Sequence, residues 1–327
     1  MSASKNIIVL TLVGLFSLSA CEKSTSFGVE DSVTVTLNIG TVEKNPYTKA
    51  SLDVSQYEGI RTLRVIVTDD NKTQIYKNEK VVLGTDYQNA SKYQVSLTDI
   101  PKGDLYFYVI ANEESIGKEY NSEVLMQNIS NSKLLYKDEE YYYFPRKGQD
   151  IEDKGIPMSG WTIATVDKNK TNVAIDLERA VTKISFRVEN ATDGEITLQT
   201  VEFGKFFGDR FYVFPEAQLD VPEDAKYKNQ SYSEIDLAIS ARTISDPLSL
   251  YLYPTYAYTE GGTDNPYTVA ITTDVEYPPQ VFAPNVNSFR RNTQINILAR
   301  ITTTAGITLD FNVTDWDSYT VDVPDFK

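Results

Sequence analysis

Strict alternation of apolar and polar residues is the feature that most narrows what this chain can become. In Val33-Thr34-Val35-Thr36-Leu37-Asn38-Ile39 every second side chain is apolar. A strand points successive side chains to opposite faces, so this run reads as a half-buried strand with Val33, Val35, Leu37 and Ile39 inward. The same period recurs at 63–67, 173–177, 182–188, 295–301 and 307–313, and less clearly at 74–76 and 93–97, while 196–203 reads as one further strand. Residues 105–111 are apolar on both faces, which predicts a strand in the middle of a sheet. Pro254 ends a strand at 248–253, Gly261-Gly262 opens a hairpin into 267–272, and Pro278-Pro279 and Pro284 bar their stretch from a sheet interior. A helical period appears only around Val124, Leu125, Asn128 and Ile129. Residues 204–249 read as a long turn-rich stretch. Fourteen to eighteen short strands at this spacing, with little helix, predict an all-β chain built of sandwiches. Tyr and Phe, 22 and 14 in number, suit strands.

The chemistry is bounded as sharply. There are 31 basic and 46 acidic residues, a net charge of −15. Such a chain is repelled by nucleic acid and by anionic lipid, so neither is expected as a partner. Histidine is absent. That removes the commonest general base and metal ligand. No HExxH, GxSxG, P-loop or GxGxxG is present. The expectation is a non-enzyme with no cofactor and no metal.

The single cysteine carries a signal of its own. Lys5 is followed by the apolar run 7–16 and then by Leu18-Ser19-Ala20-Cys21. The apolar run is too short to span a bilayer and reads as a cleaved secretory signal. Leu18-Ser19-Ala20-Cys21 resembles the lipobox of bacterial lipoproteins. On that resemblance residues 1–20 are a lipoprotein signal peptide, Cys21 is acylated, and 21–30 is a polar tether. Several acyl chains give stable anchoring where one is marginal. With Cys21 lipidated no disulfide remains to be made, so stability must come from core burial.

A wider resemblance runs along the chain. Its elements are the lipobox, the strand 33–39 followed by Thr48-Lys49-Ala50, and Ile156-Pro157-Met158-Ser159-Gly160. Leu177-Glu178-Arg179-Ala180-Val181-Thr182-Lys183-Ile184, Tyr251-Leu252-Tyr253-Pro254, Arg291-Asn292-Thr293-Gln294-Ile295 and Phe311-Asn312-Val313-Thr314-Asp315-Trp316 complete it. Together they resemble the fimbrillin family, the type V pilins of Bacteroidetes. The resemblance implies two transthyretin-like β-sandwich domains in tandem, placed at 31–172 and 173–327. It also implies an outer-membrane lipoprotein precursor cut by a protease after its first strand. A strand from the next subunit then fills the groove left by Val33, Val35, Leu37 and Ile39, and the polymer is a surface fimbrium for adhesion and biofilm formation. The implied partners are other fimbrial subunits, the outer membrane through Cys21, and the processing protease.

Some points stay open at this level. The family pattern places Arg at the cut, where this chain has Lys49; Arg61 is the alternative, though it adjoins the strand at 63–67. An uncut chain would be an anchor subunit held by Cys21, or an accessory lipoprotein. A donor strand is offered by Tyr319, Val321 and Val323, which alternate with Thr320 and Asp322. Asp31-Ser32-Val33 resembles a short O-glycosylation motif of that phylum. The competing class is a glycan-binding surface lipoprotein, with a platform drawn from Trp161, Tyr141, Tyr142, Tyr143 or Tyr256. Asp69-Asp70-Asn71 is a turn former or a calcium site, and Asp315 and Asp317 read as solvated carboxylates.

Overall fold

The computed structural model describes residues 32–41, 59–83, 92–116, 134–136, 154–208, 210–214, 227–252, 254–255, 267–277, 279–281, 290–302 and 306–315. Among them the chain is all-β. The first eight strands are β1 (Ser32–Thr41), β2 (Thr62–Asp69), β3 (Ile75–Val82), β4 (Lys92–Pro101), β5 (Gly103–Ala111), β6 (Leu134–Tyr136), β7 (Met158–Val166) and β8 (Asn172–Arg179). Seven of them hydrogen-bond in the order β3-β2-β5-β7-β8-β1-β4.

That path is folded into two layers at the β7–β8 hairpin. β7 pairs along its length with β5, from Met158↔Ala111 to Val166↔Gly103. β8 pairs along residues 172–177 with β1. β7 and β8 meet each other only at Met158↔Arg179 and Ser159↔Glu178, and at the Asp167↔Lys170 bridge of their turn. The arms therefore separate between their two ends, one into each sheet. Gly160 marks where they part, because a Cβ there would fall on the Asp176 carbonyl oxygen. The inner faces carry Val35, Leu37 and Ile39 of β1, Val95 and Leu97 of β4, and Val173, Ile175 and Leu177 of β8 on one side. Val65 and Val67 of β2 with Phe107 and Val109 of β5 lie on the other; all are buried. β5 is central between β2 and β7, as its two apolar faces predict.

The second group begins with β9 (Thr182–Asn190), β10 (Ile196–Leu198), β11 (Thr200–Gly208), β12 (Arg210–Tyr212), β13 (Tyr227–Tyr232) and β14 (Leu237–Ile239). It continues through β15 (Thr243–Ile244), β16 (Leu248–Leu252), β17 (Thr268–Thr272), β18 (Gln280–Val281), β19 (Thr293–Ile301) and β20 (Ile307–Asp315). One sheet runs β15-β9-β19-β20 with β16 also on β9, and another β13-β11-β17-β18. Phe186 of β9 meets Phe203 of β11 edge to face at 6.1 Å, and Phe203 meets Tyr232 at 6.0 Å, which closes the second sandwich.

The wiring repeats although no sequence repeat is visible. β1 lies between antiparallel β4 and parallel β8. β9 likewise lies between antiparallel β16 and parallel β19. The changeover between the two groups falls between Arg179 and Thr182, not at 172/173, because β8 pairs with β1 and β7. The alternating run at 173–177 fits either sandwich on its own; only its partners assign it. Two further expectations shift. The single strand expected at 196–203 is broken at Gln199 into β10 and β11, where the Gln199 N–H donates to Thr272 O at 2.8 Å and its carbonyl accepts from Ile235 N at 3.1 Å. The turn-rich stretch 204–249 contains β12 to β15; β12, β14 and β15 are too short to show a period, and β13 carries four polar residues between Tyr227 and Tyr232.

Candidate functional site

The candidate site is the bed of β1. Its backbone is paired on both sides, from Ser32↔Pro101 to Gly40↔Lys92 with β4 and from Thr36↔Asn172 to Thr41↔Leu177 with β8. The Thr36 N–H also donates to Thr171 O at 2.7 Å. Val35, Leu37 and Ile39 are buried, Leu37 at 0% exposure. Val33 is only half-buried, because the register shifts between Val33 and Val35. Two expectations are corrected here. Loss of β1 would open three full pockets and one partial one, not four. It would also expose two ladders, β4 and β8, not a single edge. On the outer face, Gln94 Nε2 donates to Asn38 Oδ1 at 2.8 Å.

Cys21, Lys49, Tyr319, Val321 and Val323 lie outside the described residues, as do the helical turn expected near Val124 and the aromatic residues Tyr141, Tyr142, Tyr143 and Tyr256. Arg61 is described, and the bond after it is well protected. The Arg61 N–H donates to Asn112 Oδ1 at 2.8 Å, and the Arg61 carbonyl accepts from Leu83 N at 2.9 Å. The Thr62 carbonyl accepts from Asn112 N at 3.1 Å. Asn112 is buried at φ 55°, a conformation Asn tolerates better than most residues. Its Nδ2 donates to Gly59 O at 3.1 Å and Ile156 O at 2.8 Å. A protease needs an extended, unpaired segment, and 59–62 is held as part of the fold. Asn112→Ala removes three of these buried bonds, each costing about 1–3 kcal/mol when its partner is stranded. Trypsin cleavage after Arg61, absent from the folded wild type, is expected to appear in N112A, read by mass spectrometry of the fragments.

The Asp69 turn is saturated from within. Its Oδ1 accepts from Thr73 N and Gln74 N, both at 2.7 Å, and Oδ2 from Thr73 Oγ1 at 2.7 Å. Burial works to raise the Asp69 pKa, but these donors hold it below the ordinary carboxylate value. The turn-forming reading accounts for every one of these contacts.

Trp161 is 41% exposed on the outer face of the β5–β7 sheet. Its ring lies 5.8 Å from Tyr106 and 6.3 Å from Tyr108, and Lys72 Nζ sits 4.8 Å over Tyr106. Farther along that face is a buried ion pair no periodicity reveals. Arg64 donates from Nε and Nη2 to Glu113 Oε2 and Oε1, both at 2.7 Å, and from Nη1 to Asn78 Oδ1 at 2.8 Å. Lys80 Nζ and Thr62 Oγ1 hold Glu114 at 2.6 and 2.7 Å.

Three motifs that sequence reading set side by side without a role converge at the changeover. Arg291, 4% exposed, precedes β19. Its Nε donates to Arg179 O at 3.3 Å; Nη1 donates to Tyr212 O at 3.4 Å and Val213 O at 3.1 Å. Its Nη2 donates to Ser159 Oγ at 2.9 Å and Glu178 O at 2.8 Å. Asn292 follows at φ 56°, its N–H bonded to Val181 O at 3.0 Å. The signal for this junction was a cation two residues before an apolar strand, but its acceptors are mostly main-chain carbonyls, which no residue type announces.

The architecture is that of a two-sandwich protein whose first described strand is an interior member of its sheet. It is the fold of known fimbrial proteins. The tip fimbrial protein Mfa3 from Porphyromonas gingivalis, solved with a C-terminal truncation, aligns at TM-score 0.55 and 14% identity over 87% of this chain and 100% of that one. A fimbrilin from Porphyromonas gingivalis W83 aligns at TM-score 0.53 and 14% identity over 88% and 98%. A fimbrial assembly protein from Parabacteroides distasonis aligns at 0.53 and 16% over 86% and 98%. At these identities the fold is what is shared. No family model matches the sequence, and no curated protein matches it.

Proposed function

We propose that this chain is a structural subunit of a cell-surface fimbrium, exported as a lipoprotein through Cys21 and assembled by exchange of its first strand. In this reading a protease cuts after Lys49, β1 leaves, and a strand from another subunit takes its place between β4 and β8. The observation that supports it most is that β1 is interior yet is, among the described residues, the first strand of its sandwich. It can leave without threading the chain, and its loss would strand two ladders and open three apolar pockets. An exposed pair of ladders recruits strands. Each apolar side chain returned to a pocket contributes about 1.5–3 kcal/mol gross, less the ordering of the donor. Donor candidates are Tyr319, Val321 and Val323, whose spacing matches that of Val35, Leu37 and Ile39. The protection of the Arg61–Thr62 bond favours Lys49 over Arg61 as the cut. The fold shared with fimbrial proteins and the absence of histidine favour a structural role over an enzymatic one. The exposed Trp161–Tyr106 face keeps a glycan-binding lipoprotein as the second reading.

Mild trypsin digestion of the non-lipidated protein tests the proposal, read by N-terminal sequencing and size-exclusion chromatography. A single cut after Lys49 followed by higher oligomers supports a strand-exchanged stalk subunit. A chain that resists cutting there, or is cut and stays monomeric, overturns it in favour of an uncut anchor or a glycan binder.

A further inference from the structure

We infer that Arg291 is a positioning residue for strand acceptance: it holds β8, one wall of the β1 bed, in place when β1 is gone. The inference rests on the strand-exchange reading above. With β1 present, β8 is paired along residues 172–177. Without it, the ladder left to β8 among the described residues is the pair of rungs Met158↔Arg179 and Ser159↔Glu178. Arg291 acts at those rungs. From one nitrogen, Nη2, it donates to Ser159 Oγ of β7 and to Glu178 O of β8, so it ties the two strands where they touch. Nε takes the next carbonyl of β8, Arg179 O. Nη1 reaches Tyr212 O and Val213 O at the end of β12, and Ser159 Oγ itself donates to Val213 O. That segment is seated on the first sandwich by Phe214, whose ring meets Tyr108 edge-on at 5.0 Å; β12 itself pairs with β6 in a separate two-stranded sheet.

Five N–H donors in a rigid plane meet five acceptors on three segments. Lys carries three donors on a point charge and cannot reproduce that fork. Arg291 also stands two residues before β19, which is parallel to β9 and forms a hairpin with β20. The residues that follow β20 hold the donor candidates. One guanidinium therefore joins the wall that receives a strand to the hairpin that precedes the strand to be given.

The test uses the full non-lipidated chain, cut in place with trypsin and offered a labelled synthetic peptide of residues 32–41. R291Q is accompanied by R291K, and by S159A, which removes one bond of the five and guards against a variant that fails to fold. R242Q, at the exposed Arg242–Asp193 pair, serves as the control. Wild type and R242Q should take up the peptide equally, with R291Q and R291K about tenfold weaker and S159A between them. Equal uptake by all variants overturns the inference. If wild type takes up no peptide, the strand-exchange reading fails instead, and amide exchange on the uncut chain decides the role of Arg291. Faster exchange confined to 178–180 in the Arg291 variants supports it. Unchanged exchange there, or an equal rise at Ile184 and Ile295 that marks general destabilisation, overturns it.

Discussion

Leu37→Ala is expected to destabilise the first sandwich by about 2–5 kcal/mol, the range for emptying a buried Leu site. Leu37 is fully buried in the middle of β1, paired with Val95 on one side and Val173 on the other. Its neighbours on the inner face belong to strands locked into two sheets, so the pocket cannot collapse far. Chemical denaturation of the uncut chain measures the loss. If β1 is the strand that leaves, the same change has a second consequence that a purely structural role does not predict. The cut fragment carrying Leu37→Ala should dissociate faster, and assembly after cutting should accelerate while the precursor is weakened. A variant such as Leu198→Ala, buried in the second sandwich, should destabilise without accelerating assembly.

Glu113→Ala should cost about 3–5 kcal/mol, because it leaves the Arg64 guanidinium buried without its counter-charge. Glu113 is 1% exposed and takes both of its Arg64 bonds at 2.7 Å. The double change Arg64→Met with Glu113→Ala, which removes both charges instead of stranding one, should cost less than Glu113→Ala alone; the order of the two distinguishes a stranded charge from lost packing. Acid probes the same corner. Burial works to raise the Glu114 pKa, but the Lys80 ammonium and the Thr62 hydroxyl outweigh it and hold the value below the ordinary 4.5. A carboxyl depressed in the folded state stabilises above its unfolded pKa, and that contribution is lost as pH falls through the folded value. Stability should therefore fall from about pH 4.5 downward, and Glu114→Gln should flatten that part of the profile. Urea unfolding across pH 3–6 reads both.

Much of this fold was legible because alternation is a local signal. β1, β2, β4, β5, β9, β19 and β20 fall where the apolar residues alternate or run together. β12, β14 and β15 are hidden in turn-rich sequence because two or three residues carry no period, and β13 because four polar residues stand between its two tyrosines. β8 was legible as a strand but not as a wall of the β1 bed, since pairing is a property of two segments. The inward set Val35, Leu37 and Ile39 was readable from β1 alone; the half-burial of Val33 was not, because it follows from a register shift against β4. The junction at Arg291 was the least legible. Its residues stand out as a motif, yet their role depends on carbonyls from 178, 179, 212 and 213 arriving at one place.

A reversible lock on β1 tests the central claim most directly. Asn38 of β1 and Gln94 of β4 stand opposite each other, their side chains in contact. The measurement is oligomer size by chromatography on an N38C/Q94C chain, with Cys21 replaced by Ser, after trypsin cutting under oxidising and then reducing conditions. Strand exchange requires a cut chain that stays monomeric while the disulfide holds and assembles once it is reduced. Assembly of the oxidised, cut chain at the wild-type rate would show that β1 need not leave its bed, and would contradict it.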